Sequence, residues 1–206
     1  MKLSRLKKLS WRLLACYVLI IVLITFADPS PGKHRRWWFW LAAAIIAVGQ
    51  WVRIWAAGHL VKNKVLTITG PYAYVKNPLY LGTFLIMTGF SIMARGDPSR
   101  VWWQSSMNWI LLGIAVLVFV GYYAPFKQKR EGDRLRKIFG DDWDRYDKAV
   151  PGYFPKVTKY AGSTDRPWSW AATCENSEQW VPVAVVAGIA AIVFTQRIQA
   201  FVLKIF

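Results

Sequence analysis

Apolar runs alternate with shorter polar connections along most of the chain. Five runs are long enough, or nearly so, to cross a membrane as helices: residues 11–27, 37–57, 79–94, 101–124 and 181–206. No small-residue cleavage site follows the first run, so it is interpreted as a retained helix rather than a signal peptide. The pattern predicts an all-α, polytopic integral membrane protein with about five transmembrane helices in a single domain, residues 1–206.

The polar connections predict how these helices are arranged. The connection at 95–100 is so short that the third and fourth runs should form an antiparallel hairpin, which Pro125 is expected to end. Residues 127–148 are strongly charged but carry apolar side chains at helical spacing. They predict an amphipathic helix that lies on the membrane or against the loop at 58–77.

Composition and charge support a membrane protein and predict its orientation. The chain is 55% hydrophobic, has 13 Trp and carries a formal charge of +16. A nucleic-acid partner is not expected, because the basic residues flank the apolar runs instead of forming one patch. Nineteen Lys and Arg fall on one side of the five predicted helices and five on the other. This bias predicts a multi-pass protein with a cytoplasmic N-terminus, and it places the central loop and the charged helix on the cytoplasmic face.

Few residues suit metal chemistry or intramembrane charge. The only histidines are His34 and His59, and Cys16 and Cys174 are far apart, so neither a metal site nor a disulfide is expected. Arg53 interrupts the second apolar run near its end. It is expected to extend to the headgroups, and the alternative is that it turns into the helix bundle as a functional charge.

The stretch at 64–82 concentrates turn formers and aromatic residues between two apolar runs. Gly70-Pro71 and Asn77-Pro78 are turn signals, so the backbone should bend twice before a helix begins at or just after Pro78. This bending holds several polar side chains near the bilayer surface: Tyr72, Tyr74, Lys76 and Tyr80. The alternative interpretation is a plain interfacial loop whose tyrosines anchor the chain at headgroup level.

A carboxylate follows on the same predicted face. Glu131 and the cation of Lys76, brought together beside aromatic rings, would suit a zwitterionic or cationic small molecule. The simpler alternative is that Glu131 pairs with Arg130 or Arg134 on a solvated helix.

These motifs also carry a resemblance. The Gly-Pro-Tyr loop and Asn77-Pro78, followed by a hairpin, the acidic motif that begins at Glu131, and the Val150-Pro151 and Phe154-Pro155 pairs, resemble the isoprenylcysteine carboxyl methyltransferase family and the related phospholipid N-methyltransferases. The resemblance covers about residues 45–156, which would be a methyltransferase core. Residues 157–206 would be a C-terminal extension with an extra transmembrane helix.

The resemblance implies an S-adenosylmethionine-dependent methyltransferase with a cytoplasmic cofactor site. Its partners would be the membrane lipids and a methyl acceptor, which would be a lipophilic small molecule or a lipid-linked substrate. The acceptor group would most simply be a carboxylate. The catalytic residues would be Lys76, which meets the acceptor's acidic group, and Glu131. The residues implied to bind the cofactor are Lys64, Leu66, Gly70, Tyr72, Asn77, Pro78, Tyr80 and Glu131.

Two alternatives stay open beside that implication. The chain departs from the family's form at Lys76-Asn77, where Arg-His is usual, and at Gly132, where a second acidic residue is usual. A phospholipid N-methyltransferase, or a non-catalytic membrane module that retains the fold, would also account for the pattern.

Overall fold

The computed structural model describes residues 36–61, 65–94, 101–194 and, near the C-terminus, 197, 198, 201 and 204. Its α-helices are α1 (Arg36–His59), α2 (Pro78–Met93), α3 (Trp102–Ser105), α4 (Met107–Val118), α5 (Ala124–Phe139), α6 (Asp141–Ala149), α7 (Trp170–Glu175) and α8 (Val181–Val193). Short 3-10 turns occur at Gly70–Ala73 and Glu178–Trp180. The described residues contain no strand, which confirms the all-α prediction for this part of the chain.

Helices α1 and α2 form a tight antiparallel pair because glycines let their backbones approach. A Cβ atom added to Gly49 would lie 2.7 Å from the carbonyl oxygen of Gly82. One added to Gly89 would lie 2.5 Å from Cγ1 of Ile46. Contacts this close exclude any side chain at these glycines without displacement of the partner helix.

Helix α8 packs on this pair and completes the apolar core. Val185 of α8 joins Ala42 and Ile46 of α1 and Ile86 and Met93 of α2 in one buried cluster. The last part of the described chain is therefore built into the same core as the first.

Helices α4 and α5 run together as one long helix, Met107–Phe139, of 33 residues. The prediction that Pro125 ends the fourth helix is wrong. Pro125 cannot donate a backbone hydrogen bond and its ring crowds the carbonyl four residues earlier, but the wider π turn Phe119–Tyr123 directly precedes α5 and makes room for it. At 1.5 Å per residue the helix is about 50 Å long, so its charged α5 end extends well beyond its apolar first part.

Two described helices are long and apolar enough to cross a membrane: Trp37–His59 and Met107–Phe139. Two further apolar helices, Pro78–Met93 and Glu178–Val193, are shorter. The predicted run at 11–27 lies outside the described residues. The prediction of about five transmembrane helices is thus supported only for two of them.

The predicted amphipathic segment is two helices that fold against the central loop. A corner at Gly140, whose φ of +54° suits glycine, separates α5 from α6. Trp143, Tyr146 and Val150 are buried there, with Leu66 of the loop packed beside them.

Candidate functional site

A cavity of about 490 Å³ lies between the central loop, the start of α2, and helices α5 and α6. Aromatic and aliphatic side chains form much of its wall, and several charged side chains line it as well. Its size and mixed lining are typical of small-molecule sites.

Backbone hydrogen bonds hold the tip of the central loop against the segment that follows α6. The amide of Lys76 donates to the carbonyl of Pro151 (2.9 Å), and the amide and side chain of Asn77 both donate to the carbonyl of Gly152 (3.1 and 3.0 Å). Lys76 Nζ donates to the backbone carbonyl of Asp147 (3.0 Å) and pairs with its carboxylate. Lys76 and Asn77 therefore join the two walls of the cavity.

Two buried tyrosines reinforce this junction. The hydroxyl of Tyr146 donates to the carbonyl of Tyr72 at 2.8 Å. Burial raises the pKa of both tyrosines well above the usual value, so their hydroxyls ionise even less readily than that of an exposed tyrosine.

The inner end of the cavity is formed by Arg53, Leu79 and Thr83. The guanidinium of Arg53 is bidentate with Glu178: Nε lies 3.0 Å from Oε2, and Nη2 lies 2.6 Å from Oε1. Its Nη1 donates to the carbonyl of Leu79 (3.2 Å) and to the hydroxyl of Thr83. All the donors of this side chain thus have acceptors inside the protein, and the expectation that Arg53 extends to the headgroups is wrong.

The C-terminal segment that carries Glu178 is fastened to the end of α1. The side chain of Asn176 donates to the carbonyls of Ala57 and Leu60, both at 3.1 Å, in the last turn of the helix and just beyond it. Trp168 Nε1 donates to the carbonyl of Ile54 at 3.1 Å. These contacts bring Glu178 beneath the cavity.

The outer rim of the cavity is formed by exposed or half-exposed side chains of α5. Lys127 and Glu131, one helical turn apart, form an ion pair of 2.9 Å. The ammonium of Lys127 also lies 4.1 Å from the centre of the Tyr80 ring. Arg134 adds a further cation to this rim.

An aromatic group joins the cavity to the long helix. The hydroxyls of Tyr80 and Tyr123 are 2.9 Å apart, and the ring of Phe119 lies 5.5 Å from that of Tyr80. Tyr153 meets Phe119 edge to face at 5.4 Å. Burial raises the pKa of Tyr153, partly offset by Lys127.

Most of the predicted site residues lie together. The cavity is lined by Leu66, Tyr72, Lys76, Asn77, Pro78, Tyr80 and Glu131. Gly70 lies elsewhere, in a shallow hollow beside His59, and Lys64 is outside the described residues. The roles proposed for these residues in catalysis and cofactor binding, and S-adenosylmethionine as the ligand, stay predictions.

Several lining residues were missed by sequence reasoning. Tyr146, Asp147 and Tyr153 reach the cavity because α6 folds back on the loop. The amphipathic pattern of residues 127–148 predicted contact with the loop as one of two possibilities, but it did not identify these side chains as cavity residues. Arg53 did carry a sequence signal, because a cation within an apolar run is a functional candidate by default.

Among the described residues, no group of three or more His, Cys, Asp or Glu side chains is placed to hold a metal ion. The ion pairs of the cavity each join one carboxylate to one cation.

Two proteins of known name are similar to this chain. The nickel-cobalt-cadmium resistance protein NccN of Alcaligenes xylosoxydans xylosoxydans is 26% identical over 162 residues, which are 73% of this chain and 65% of that protein. The cobalt-zinc-cadmium resistance protein CzcN of Cupriavidus metallidurans is 22% identical over 166 residues, 75% of this chain and 66% of that protein. The match thus spans just under two thirds of each relative. No family model matches the chain, and no solved structure does.

These relatives overturn the assignment that the motifs suggested. They are named as metal-resistance proteins, so the prediction of an isoprenylcysteine carboxyl methyltransferase, and of a methyltransferase enzyme in general, is wrong. The structure gives a physical reason why the motif misled. Lys76 and Tyr72 hold the loop to α6, and Asn77 holds it to the segment that follows, so these motif residues have a structural role that does not depend on methyl transfer.

Proposed function

We propose that this chain is a membrane-embedded component of a system that confers resistance to divalent metals such as nickel, cobalt, cadmium and zinc. The observation that carries the proposal is the similarity, over about three quarters of the chain, to two metal-resistance proteins. Within that role, the cavity binds a small molecule at the cytoplasmic surface of the membrane.

The exposure of the apolar helices supports placement in a bilayer. Only 6% of the apolar window of Met107–Phe139 is buried within the protein, and 22% of that of Trp37–His59. An apolar helix in the core of a soluble protein would be mostly buried, whereas a lipid-facing helix keeps its apolar surface on the outside. Leu117, in the apolar part of the long helix, is 73% exposed.

The charge distribution supports the orientation. The basic residues of α5 and of the segment after it lie at the same end of the molecule as the cavity. Since Lys and Arg accumulate on the cytoplasmic side, the cavity faces the cytoplasm.

Deletion of the gene in its own organism tests the proposed function. We expect growth to be inhibited at lower concentrations of one or more of nickel, cobalt, cadmium and zinc ions, while tolerance of magnesium is unchanged. A plasmid copy should restore growth. Unchanged tolerance of all four metals would contradict the proposal.

A cavity-filling substitution tests whether the cavity takes part. Gly132 lines the cavity, and a Cβ atom there would meet only Trp143, at 3.9 Å. Gly132→Phe should therefore fill the cavity and abolish complementation. The matched control is Gly113→Phe on the same long helix, where a Cβ atom meets nothing within 4 Å. Equal complementation by both variants, at equal protein abundance, would exclude a role for the cavity.

A further inference from the structure

The segment that follows α6 presents apolar side chains outward at the edge of the cavity. Phe154 is 84% exposed and Val157 is 95% exposed. Neighbouring residues of the same segment are held firmly, because the amide of Lys156 donates to the carbonyl of Tyr74 at 3.1 Å. The exposed side chains thus belong to a fixed part of the fold.

The contacts of Tyr153 give the height of this segment along the long helix. Its ring meets Phe119, and its hydroxyl donates to the carbonyl of Ala124 at 3.4 Å. Both partners lie in the last turns before the first charged residue, Lys127. Because consecutive Cα atoms are only about 3.8 Å apart, the backbone of Phe154 lies close to this height.

This height is that of the boundary between hydrocarbon and headgroups. The long helix carries exposed aromatic rings there, Tyr122 and Phe126, directly before its charged part. Tyr and Trp residues collect at this depth in membrane proteins, because their side chains combine an apolar ring with one polar group.

We propose that Phe154, with Val157 beside it, inserts into the headgroup boundary of the cytoplasmic leaflet and holds the cavity at that depth. The inference rests on the proposed membrane placement. It adds a contact surface outside the membrane-spanning helices, and its partner is the lipid bilayer. Because Tyr153 lines the cavity, the anchor is directly continuous with the cavity wall.

The test measures the surroundings of a fluorescent label in vesicles. The full chain with Cys16→Ser and Cys174→Ser receives one new cysteine, Phe154→Cys, and is labelled with an environment-sensitive dye. It is reconstituted into phosphatidylcholine with a minor fraction of phosphatidylglycerol, with and without lipids that carry a nitroxide near the headgroup. We expect blue-shifted emission and quenching by the nitroxide lipids.

Two control positions make the result interpretable. Asp165, whose side chain is 98% exposed, should give water-like emission without quenching when replaced by cysteine. Leu117→Cys should be blue-shifted, because it lies within the apolar part of the long helix. A water-like signal at 154 with a lipid-like signal at 117 overturns the anchor and leaves the membrane placement intact, whereas water-like signals at both positions overturn both. The same dye could instead give water-like emission at position 154 in the vesicles and blue-shifted emission only in native membranes. That result would assign the surface to a protein partner and also overturn the proposal.

Discussion

The two ends of the cavity each carry an ion pair, and the pairs differ in burial and in what they join. Arg53 and Glu178 at the inner end have side chains only 16% and 10% exposed, and they connect segments 125 residues apart. Lys127 and Glu131 at the rim are 26% and 47% exposed and lie one turn apart on a single helix. The inner pair therefore fixes the tertiary structure, while the rim pair leaves charge accessible to a ligand.

This difference follows from what water does at each site. A buried charge has lost its hydration, so its partner must replace that hydration almost completely. Arg53 shows this replacement, since Leu79 and Thr83 accept the donors that Glu178 does not. At the rim, water and salt screen the attraction, and either side chain can separate at little cost.

The largest expected effect comes from breaking the inner pair. Glu178→Ala should lower the free energy of unfolding by about 3 to 5 kcal/mol, because it leaves an uncompensated guanidinium in a largely buried site. Thermal and denaturant unfolding in detergent measure this loss. Glu175→Ala, an exposed carboxylate on α7, is the control and should have little effect.

Replacing both partners separates the charge from the packing. Arg53→Met with Glu178→Met should recover most of the stability lost by Glu178→Ala, because no unpaired charge is left behind. A double variant that is less stable than Glu178→Ala would show that the hydrogen bonds of Arg53 stabilise the fold beyond the neutralisation of its charge.

An intermediate effect is expected at the side of the cavity. Lys76 and Asp147 are 10% and 33% exposed, and Lys76 keeps the backbone carbonyl of Asp147 as an acceptor when the carboxylate is removed. Asp147→Asn should therefore cost about 1.5 kcal/mol, near the lower end for a charge-assisted hydrogen bond. The exposed Asp141→Asn is the matched change on the same helix. A loss of unfolding free energy as large as that of Glu178→Ala would mean that burial does not determine how much each ion pair contributes to stability.

Sequence reasoning found the local features of this fold and missed those that depend on distant contacts. The start of α2 at Pro78 follows from Asn77-Pro78, which bends the backbone and fixes a helical φ, and that prediction is confirmed. The helix through Pro125 was not predicted, because the π turn that accommodates it has no clear sequence signature.

The candidate site shows the same division. The motif resemblance placed loop residues and Glu131 in one site, and the cavity does bring most of them together. The partner of Arg53 could not be found in this way, since Glu178 lies in a polar segment far along the chain and no periodicity relates the two. The alternative to a ligand-binding role for Glu131 was an ion pair with Arg130 or Arg134, whereas the structure pairs it with Lys127, four residues earlier.

The smallest effect on stability is expected at the rim. Glu131→Gln should change the free energy of unfolding by less than about 1 kcal/mol, because the pair is exposed and lies within one helix. Raising the salt concentration to about 1 M, where the screening length is about 3 Å, should remove even this difference. Asp133→Asn on the same helix is the control, since Asp133 is exposed and does not line the cavity.

The rim substitution is also the one that can separate stability from function. If the accessible carboxylate of Glu131 contacts the ligand, Glu131→Gln should lower metal tolerance in the complementation assay while the protein stays folded and as abundant as wild type. Asp133→Asn should leave tolerance unchanged, although it removes the same charge from the same helix. The opposite result is that strains complemented with Glu131→Gln and with Asp133→Asn tolerate nickel, cobalt, cadmium and zinc equally. That result would limit Glu131 to its ion pair with Lys127. The ligand contacts would then have to lie deeper, among Asn77, Tyr80 and Tyr153.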